Sequence, residues 1–240
     1  MKNAPILLSF NETYNNLAKE YIRNNLKEGG TVYILGGSAA VPPAMETGLD
    51  GFQVRRLDGR DRFETNQSIL LEAGVGKKPV LVCTGLSFAD SLSASASELP
   101  ILLVWNKLTD MQKAFLKSLN GNPIYVIGGE SAVSKSMEQE LTQYGSVTRI
   151  GGGNRFETSV AIARQFFDKP ESAVMAYAWN YPDGLCGGAL AATIDAPLIL
   201  TMNNYESAAS AYIKDCGIEK GTILGGDSLI SEDAILKIFP

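Results

Sequence analysis

Arginine carries most of the binding chemistry this sequence offers, and its placement is not random. Six of the eight arginines fall in two short stretches, at Arg55, Arg56, Arg60 and Arg62 and again at Arg149 and Arg155. A guanidinium presents a planar fork of donors that suits a carboxylate or a phosphate. Each stretch therefore reads either as an anion-binding turn or as part of a structural ion pair. For Arg62 and Arg155 the ion-pair reading names Asp90 and Asp183 as partners within the same repeat. For Arg56, Arg60 and Arg149 the balance favours anion contact. Asp90 and Asp183 each follow an apolar run and open a helical stretch, the position at which open α/β sheets bind ligands. The alternative for both is a helix N-cap. Phe88 and Tyr181 stand beside these aspartates, either as core residues or as faces for a sugar ring.

Other chemistry is poorly supplied. The chain contains no histidine, which removes the usual general base and the Ser/His and Cys/His nucleophile systems. Ser87, Ser91 and Ser131 thus have no activating partner, and no GxSxG turn occurs. Cys83, Cys186 and Cys216 are scattered without CxxC spacing and read as small buried apolar residues. A metal site would need further carboxylates near Asp90 or Asp183, and the sequence has no DxD cluster. Gly-Gly pairs at 36–37, 128–129 and 225–226 sit between apolar runs and helical stretches. They match neither GxGxxG nor GxxxxGK[ST], so a left-handed or closely approached backbone explains them better than a nucleotide does. No cofactor is implied.

The elements that must position these residues come in repeats. Arg56-Leu-Asp-Gly-Arg-Asp-Arg-Phe-Glu-Thr65 returns as Arg149-Ile-Gly-Gly-Gly-Asn-Arg-Phe-Glu-Thr158, and Ser87-Phe-Ala-Asp90 returns as Asn180-Tyr-Pro-Asp183. Asp61-x-x-Glu64 and Asn154-x-x-Glu157 have capping-box spacing ahead of amphipathic runs. A second block occurs three times, as Ala4-Pro-Ile-Leu-Leu8, Leu99-Pro-Ile-Leu-Leu103 and Ala196-Pro-Leu-Ile-Leu200. Each reads as a buried strand with proline at its first position. An amphipathic helix follows each, over 14–26, 110–119 and 208–216, then a strand that runs into the Gly-Gly pair. A further helix follows, with Ser134 and Ser231 as N-caps and Pro42 or Pro43 in the first turn of the earliest copy. Strands over 80–83 and 173–176 precede the aspartate turns. Alternation of strands and helices predicts parallel sheets covered on both faces. The units are residues 55–147 and 148–240, with residues 1–54 matching only the second half of a unit.

The bulk composition sets limits. With 45% hydrophobic and 20% charged residues the chain has the balance of a soluble globular protein, and no apolar run approaches the roughly 18 residues of a membrane span. Any export signal would lie outside this sequence. A net charge of −5 argues against non-specific nucleic-acid binding.

The ordered set R-x-x-G-x-[DN]-R-F-E-T, F-A-D or Y-P-D, P-[IL]-[LI]-L and [VI]-x-G-G resembles the type 2 cell-wall-binding repeat of clostridial and related Gram-positive surface proteins. The resemblance covers two full repeats and a half repeat. It implies tandem Rossmann-like or Toprim-like α/β modules with parallel sheets in a pseudo-threefold arrangement, here with the first module incomplete. It further implies a non-catalytic anchor at the cell wall or cell surface, holding an S-layer or other surface protein, or an effector domain, to an anionic secondary wall polysaccharide. The residues it associates with the polymer are Arg56, Arg60, Arg62, Arg149 and Arg155, with Asp90 and Asp183 beside them. To these it adds the strand segments Pro5–Leu8, Pro100, Ile101, Leu102, Leu103, Pro197, Leu198, Ile199 and Leu200. No nucleic acid, membrane insertion or metal enters this expectation. The rival readings are a metal-dependent phosphate-handling α/β enzyme and a structural spacer.

Overall fold

The computed structural model describes residues 4–240. They form two compact units, one of residues Ile6–Gly74 and one of Val75–Pro240 together with Ala4 and Pro5. In the first unit the order is α1 (Glu12–Asn25), β1 (Thr31–Leu35), β2 (Gln53–Leu57) and α2 (Arg62–Ala73). Asn11 starts α1 by accepting from the Tyr14 N–H, Glu12 lies in its first turn and Arg23 in its last, the charge order a helix dipole favours. β1 and β2 pair in parallel, Thr31 opposite Gln53. Ala18, Ile22, Ile34, Met45 and Leu49 form the core.

Two expectations fail in this unit. Ala4–Leu8 is not a strand, and Ile6, Leu7 and Leu8 are each 38% exposed. The helix expected from Pro42 or Pro43 is only a 3₁₀ turn at Pro43–Met45. The first difference follows from the second unit, where each proline-led strand pairs with one neighbour, the central strand of its sheet. The first unit has a two-stranded sheet and no counterpart of that central strand.

The second unit continues with β3 (Val80–Thr84), α3 (Ala89–Ala94), β4 (Ile101–Val104), α4 (Asp110–Ser118), β5 (Gly121–Ile127), α5 (Lys135–Leu141) and β6 (Gly145–Ile150). It then repeats the theme with α6 (Arg155–Phe166), β7 (Ser172–Tyr177), α7 (Pro182–Thr193), β8 (Leu198–Thr201), α8 (Ser207–Cys216), β9 (Lys220–Leu224) and α9 (Glu232–Ile238). The strand orders are β4-β3-β5-β6 and β8-β7-β9, parallel throughout. Every residue of β3 is buried, as are Ala173–Ala176 of β7, which accounts for runs with no polar alternation. Pro100 and Pro197 precede edge strands and lend only their carbonyls, accepting from Leu81 N–H and Val174 N–H at 2.9 Å. The missing proline donor therefore leaves no gap in the ladder.

β2, which opens the first full sequence repeat, shares a sheet with β1, and β6, which opens the next, shares one with β5. Sequence period and sheet are thus out of phase: each Arg turn leaves the last strand of one sheet. In that turn Asp61 and Asn154 cap α2 and α6, accepting from Phe63 and Glu64 N–H and from Phe156 and Glu157 N–H. The glutamates reach back one residue further than a capping box would, to the N–H of Arg60 and Gly153. The repeated glycine has a steric cause. A Cβ on Gly152 would overlap the Glu157 Cβ and stand 2.8 Å from its carbonyl carbon, and Gly59 faces Glu64 in the same way. Backbone cannot retreat as a side-chain end can. Gly152→Ala should therefore cost about 1–3 kcal/mol and lower the thermal midpoint; an unchanged midpoint would show that the turn yields.

Candidate functional site

In each full repeat the topology gathers an aspartate turn and a Gly-Gly turn at the carboxyl ends of parallel strands. Gly128 and Gly225 have φ of 97° and 125°, a left-handed backbone open to glycine at little cost. They are also closely approached. A Cβ on Gly128 would overlap Asp90 Oδ2 and stand 3.2 Å from its Cγ; one on Gly225 would lie 3.3 Å from Asp183 Oδ2. Each aspartate therefore rests against the Gly-Gly turn of its own repeat.

The N-cap expectation for these aspartates is not met. Phe88 and Tyr181 occupy the cap positions of α3 and α7 and make no side-chain cap hydrogen bond, while Asp90 and Asp183 sit inside the first turn. Neither carboxylate caps its helix; each gains only what the helix dipole gives a first-turn acid. Burial pushes the Asp90 carboxyl above the usual carboxylate range, and the nearby Arg155 opposes that rise. The same site lifts the thiol of Cys83 well up, through desolvation and then the Asp90 charge, so Cys83 is an inert core residue.

Arg155 is the cation at this site, and its partner is not the expected one. α6 packs against both α3 of the preceding repeat and β8 of its own, which carries its first residue to the junction of the two sheets, in contact with both repeats. Arg155 Nη1 donates to the Ala178 carbonyl at 2.7 Å. Its guanidinium lies 3.9 Å from the Trp179 ring centre and 5.8 Å from that of Phe88. The charge it acts on is Asp90 of the preceding repeat, not Asp183.

The other motif arginines are tied into the scaffold. Arg149 Nε and Nη2 donate to Glu138 at 3.0 and 2.7 Å, Nη1 donates to the Gly128 carbonyl and Nη2 to the Val133 carbonyl. Arg56 repeats this in the first unit, with Glu46 and the Gly36 carbonyl. Both arginines brace a Gly-Gly turn, and an anion would have to displace the glutamate. Arg60 pairs with Glu64 and keeps an 89% exposed side chain. Glu64 is held below its usual pKa, chiefly by the Arg60 hydrogen bond. Arg62 is exposed at the start of α2.

Leu102, Leu198, Ile199 and Leu200 are buried in the sheets, as is Pro197, while Pro100, Ile101 and Leu103 are half-buried. Pro5–Leu8 lies on the surface outside any strand. The buried members act on a ligand only through what they position, namely the loops after β4 and β8. Those loops, and the one after β7, hold residues that the repeat pattern passed over: Trp105, Trp179, Met202 and Tyr205. Their signal lay in the disagreement between repeats, not in the agreement. Among the described residues no three His, Cys, Asp or Glu side chains come together in a set that could hold a metal ion, and no helix is long and apolar enough to cross a membrane. A concavity of about 580 Å³ beside Lys117, Gly121 and Gly145 lies at the amino ends of β5 and β6, away from the aspartate turns.

Comparison with known proteins bears directly on this arrangement. The family model for cell wall binding domain 2 matches residues 56–138 and 149–235. The amidase enhancer of Bacillus subtilis (strain 168) is 27% identical over 238 residues, covering 96% of this chain and 32% of that protein. The N-acetylmuramoyl-L-alanine amidase LytC of the same organism is 28% identical over 215 residues, covering 87% and 42%. Among solved structures, Cwp8 from Clostridium difficile superposes with a TM-score of 0.76 at 29% identity, over 87% of this chain and 37% of that one. Cwp6 from the same organism shares the fold with a TM-score of 0.78 at 23% identity, over 93% and 38%. The chain thus spans about a third to two-fifths of the length of these relatives. With both full repeats matched and the α/β fold shared, the chain belongs to the cell wall binding domain 2 family and is a cell-wall-binding domain of the bacterial surface.

Proposed function

We propose that this chain is a non-catalytic anchor that holds a longer surface polypeptide, such as an S-layer protein or one with an effector domain, to an anionic secondary polysaccharide of a Gram-positive wall. The observation that carries this reading is repetition at one end of the sheets. The same Gly-Gly turn and aspartate are built twice in one chain, with an arginine reaching from one repeat towards the aspartate of the other. Repeated weak sites suit a repeating polymer, because each contact after the first is effectively intramolecular. In this reading residues 55–147 and 148–240 are the functional repeats and 1–54 an incomplete one. Arg60, Arg62, Arg155, Asp90 and Asp183 meet the polymer. Arg56, Arg149 and the segments at Pro100–Leu103 and Pro197–Leu200 hold the turns that do so. A chain without histidine lacks the usual general base, which leaves bond-breaking to other domains.

Purified Gram-positive walls should retain the chain, and walls stripped of phosphodiester-linked polymer with hydrogen fluoride should not. Equal retention on stripped walls would move the ligand to the peptidoglycan itself.

Asp90 allows a second test. Its folded-state pKa is raised, so its contribution to stability is fully present below the unfolded carboxylate range and is lost as pH rises through the raised value. Asp90→Asn should consequently raise the thermal midpoint at pH 7, with the gain shrinking as acid protonates the native carboxyl, and should weaken wall retention. A lowered midpoint at pH 7 would give Asp90 a structural role instead.

A further inference from the structure

The two full repeats serve as internal controls for each other. Aligned on the aspartate turn, Trp179 stands where the earlier repeat has Leu86, and Tyr181 where it has Phe88. Aligned on the proline-led strand, Tyr205 stands where it has Leu108. All three changes fall in the loops after β7 and β8: two introduce an aromatic with a polar handle, and the third adds a hydroxyl to an aromatic already present. They are 53%, 51% and 52% exposed, whereas Leu108 is buried at 5%. The earlier repeat builds the same fold with aliphatic residues at two of these positions, so packing alone does not call for the aromatics.

The rings are held in place. Trp179 has the Arg155 guanidinium 3.9 Å from its ring centre and donates its indole N–H to Met202 Sδ at 2.7 Å. Arg155 is in turn fixed by the Ala178 carbonyl. The exposed half of the indole therefore belongs to a ring pinned at one face and one edge. Tyr181 meets Phe88 edge-on with ring centres 6.0 Å apart. Tyr205 stacks on Phe156, the neighbour of Arg155, at 5.0 Å and 16° between planes. One cluster, Phe88–Arg155–Phe156, thus braces three half-exposed aromatics at the carboxyl end of one sheet. Rigid amphipathic rings offer contact area at low entropic cost. Their apolar faces suit the C–H face of a pyranose, and the tyrosine hydroxyls suit its hydroxyl rim.

We propose that the carboxyl end of the last repeat is a sugar-stacking subsite, with Trp179 as its platform and Tyr181 and Tyr205 as its flanks, that takes a pyranose ring of the wall glycopolymer. This rests on the anchoring reading and assigns the last repeat a platform at a position where the preceding repeat carries Leu86.

The test uses the repeats' own residues. Trp179→Leu and Tyr205→Leu write in what the earlier repeat carries at those places, so the fold has a precedent for each. Trp105→Phe leaves Trp179 as the sole indole of the chain. Polymer released from walls by hydrogen fluoride should shift and quench Trp179 emission in the Trp105→Phe chain. Trp179→Leu should weaken wall retention about tenfold, as loss of one well-placed aromatic contact does, at an unchanged thermal midpoint. If the parent chain binds walls while Trp179 emission stays constant and Trp179→Leu binds normally, the subsite is refuted and the anchor stands. If the parent chain does not bind walls, the anchoring reading fails and the subsite falls with it.

Discussion

The architecture depends on one requirement: a parallel strand buried on both faces needs a hydrogen-bonded neighbour on each side. β3 and β7 meet it, flanked by β4 and β5 and by β8 and β9. The proline-led strands exist because of them, since β4 and β8 lie at sheet edges with a single ladder each. Where the central strand is absent, the same kind of sequence does not become a strand. Ile6–Leu8 carries the apolar run of Ile101–Leu103 yet stays outside any sheet. An intrinsic preference for the extended state is thus insufficient; the partner decides.

The same dependence sorts the arginines. Arg56 and Arg149 end in carbonyls of Gly-Gly turns, which they tie to a glutamate on the following segment. Without such a tether, a glycine turn whose backbone enjoys wide freedom would hold its neighbouring aspartate poorly. Arg155 lies on an equally short turn but opens a helix instead of ending a strand. That difference carries it across to the aromatic rings and Asp90. One residue type in one repeated motif is therefore a turn brace at one position and part of an aromatic cluster at another.

This explains what the sequence made legible. The asparagine, aspartate and serine caps and the left-handed glycines were legible because they answer to local backbone rules, whereas the proline-led runs were legible as strands only where a partner strand exists, at Ile101–Leu103 and Leu198–Leu200 but not at Ile6–Leu8. Asp61, Asn154, Ser134 and Ser231 cap the helices they were expected to cap. Partners across the fold were not visible. The pairing of Arg155 within its own repeat seemed natural from spacing alone, yet the sheet boundary falls beside the Arg turn and hands Arg155 to the junction of two sheets. The close approach of Asp90 to Gly128, some forty positions along the chain, was hidden for the same reason. Tyr181 was legible as the match of Phe88, whereas Trp179 and Tyr205 carry no signal in the agreement between repeats, since they stand where the repeats differ.

Charge gives the arrangement its last turn. A net charge of −5 is of little consequence at distances beyond the roughly 8 Å screening length of physiological salt, so the field at the site is decided by its immediate groups. Among the motif arginines, Arg55, Arg56 and Arg60 of the first unit and Arg149 of the second each sit against a carboxylate, of Glu72, Glu46, Glu64 and Glu138 respectively. Their charges are largely cancelled before any polymer arrives. Arg155 faces a carboxyl whose burial resists ionisation, and its own charge is spread against aromatic faces. Long-range attraction is then a weak contributor. In the proposed anchoring, selectivity for a wall polymer would fall to hydroxyl contacts and ring faces, and strength to the number of repeats engaged at once. Under the proposed anchoring, an acidic protein would hold an anionic chain on those terms by contacting its sugars and leaving most of the charge in water.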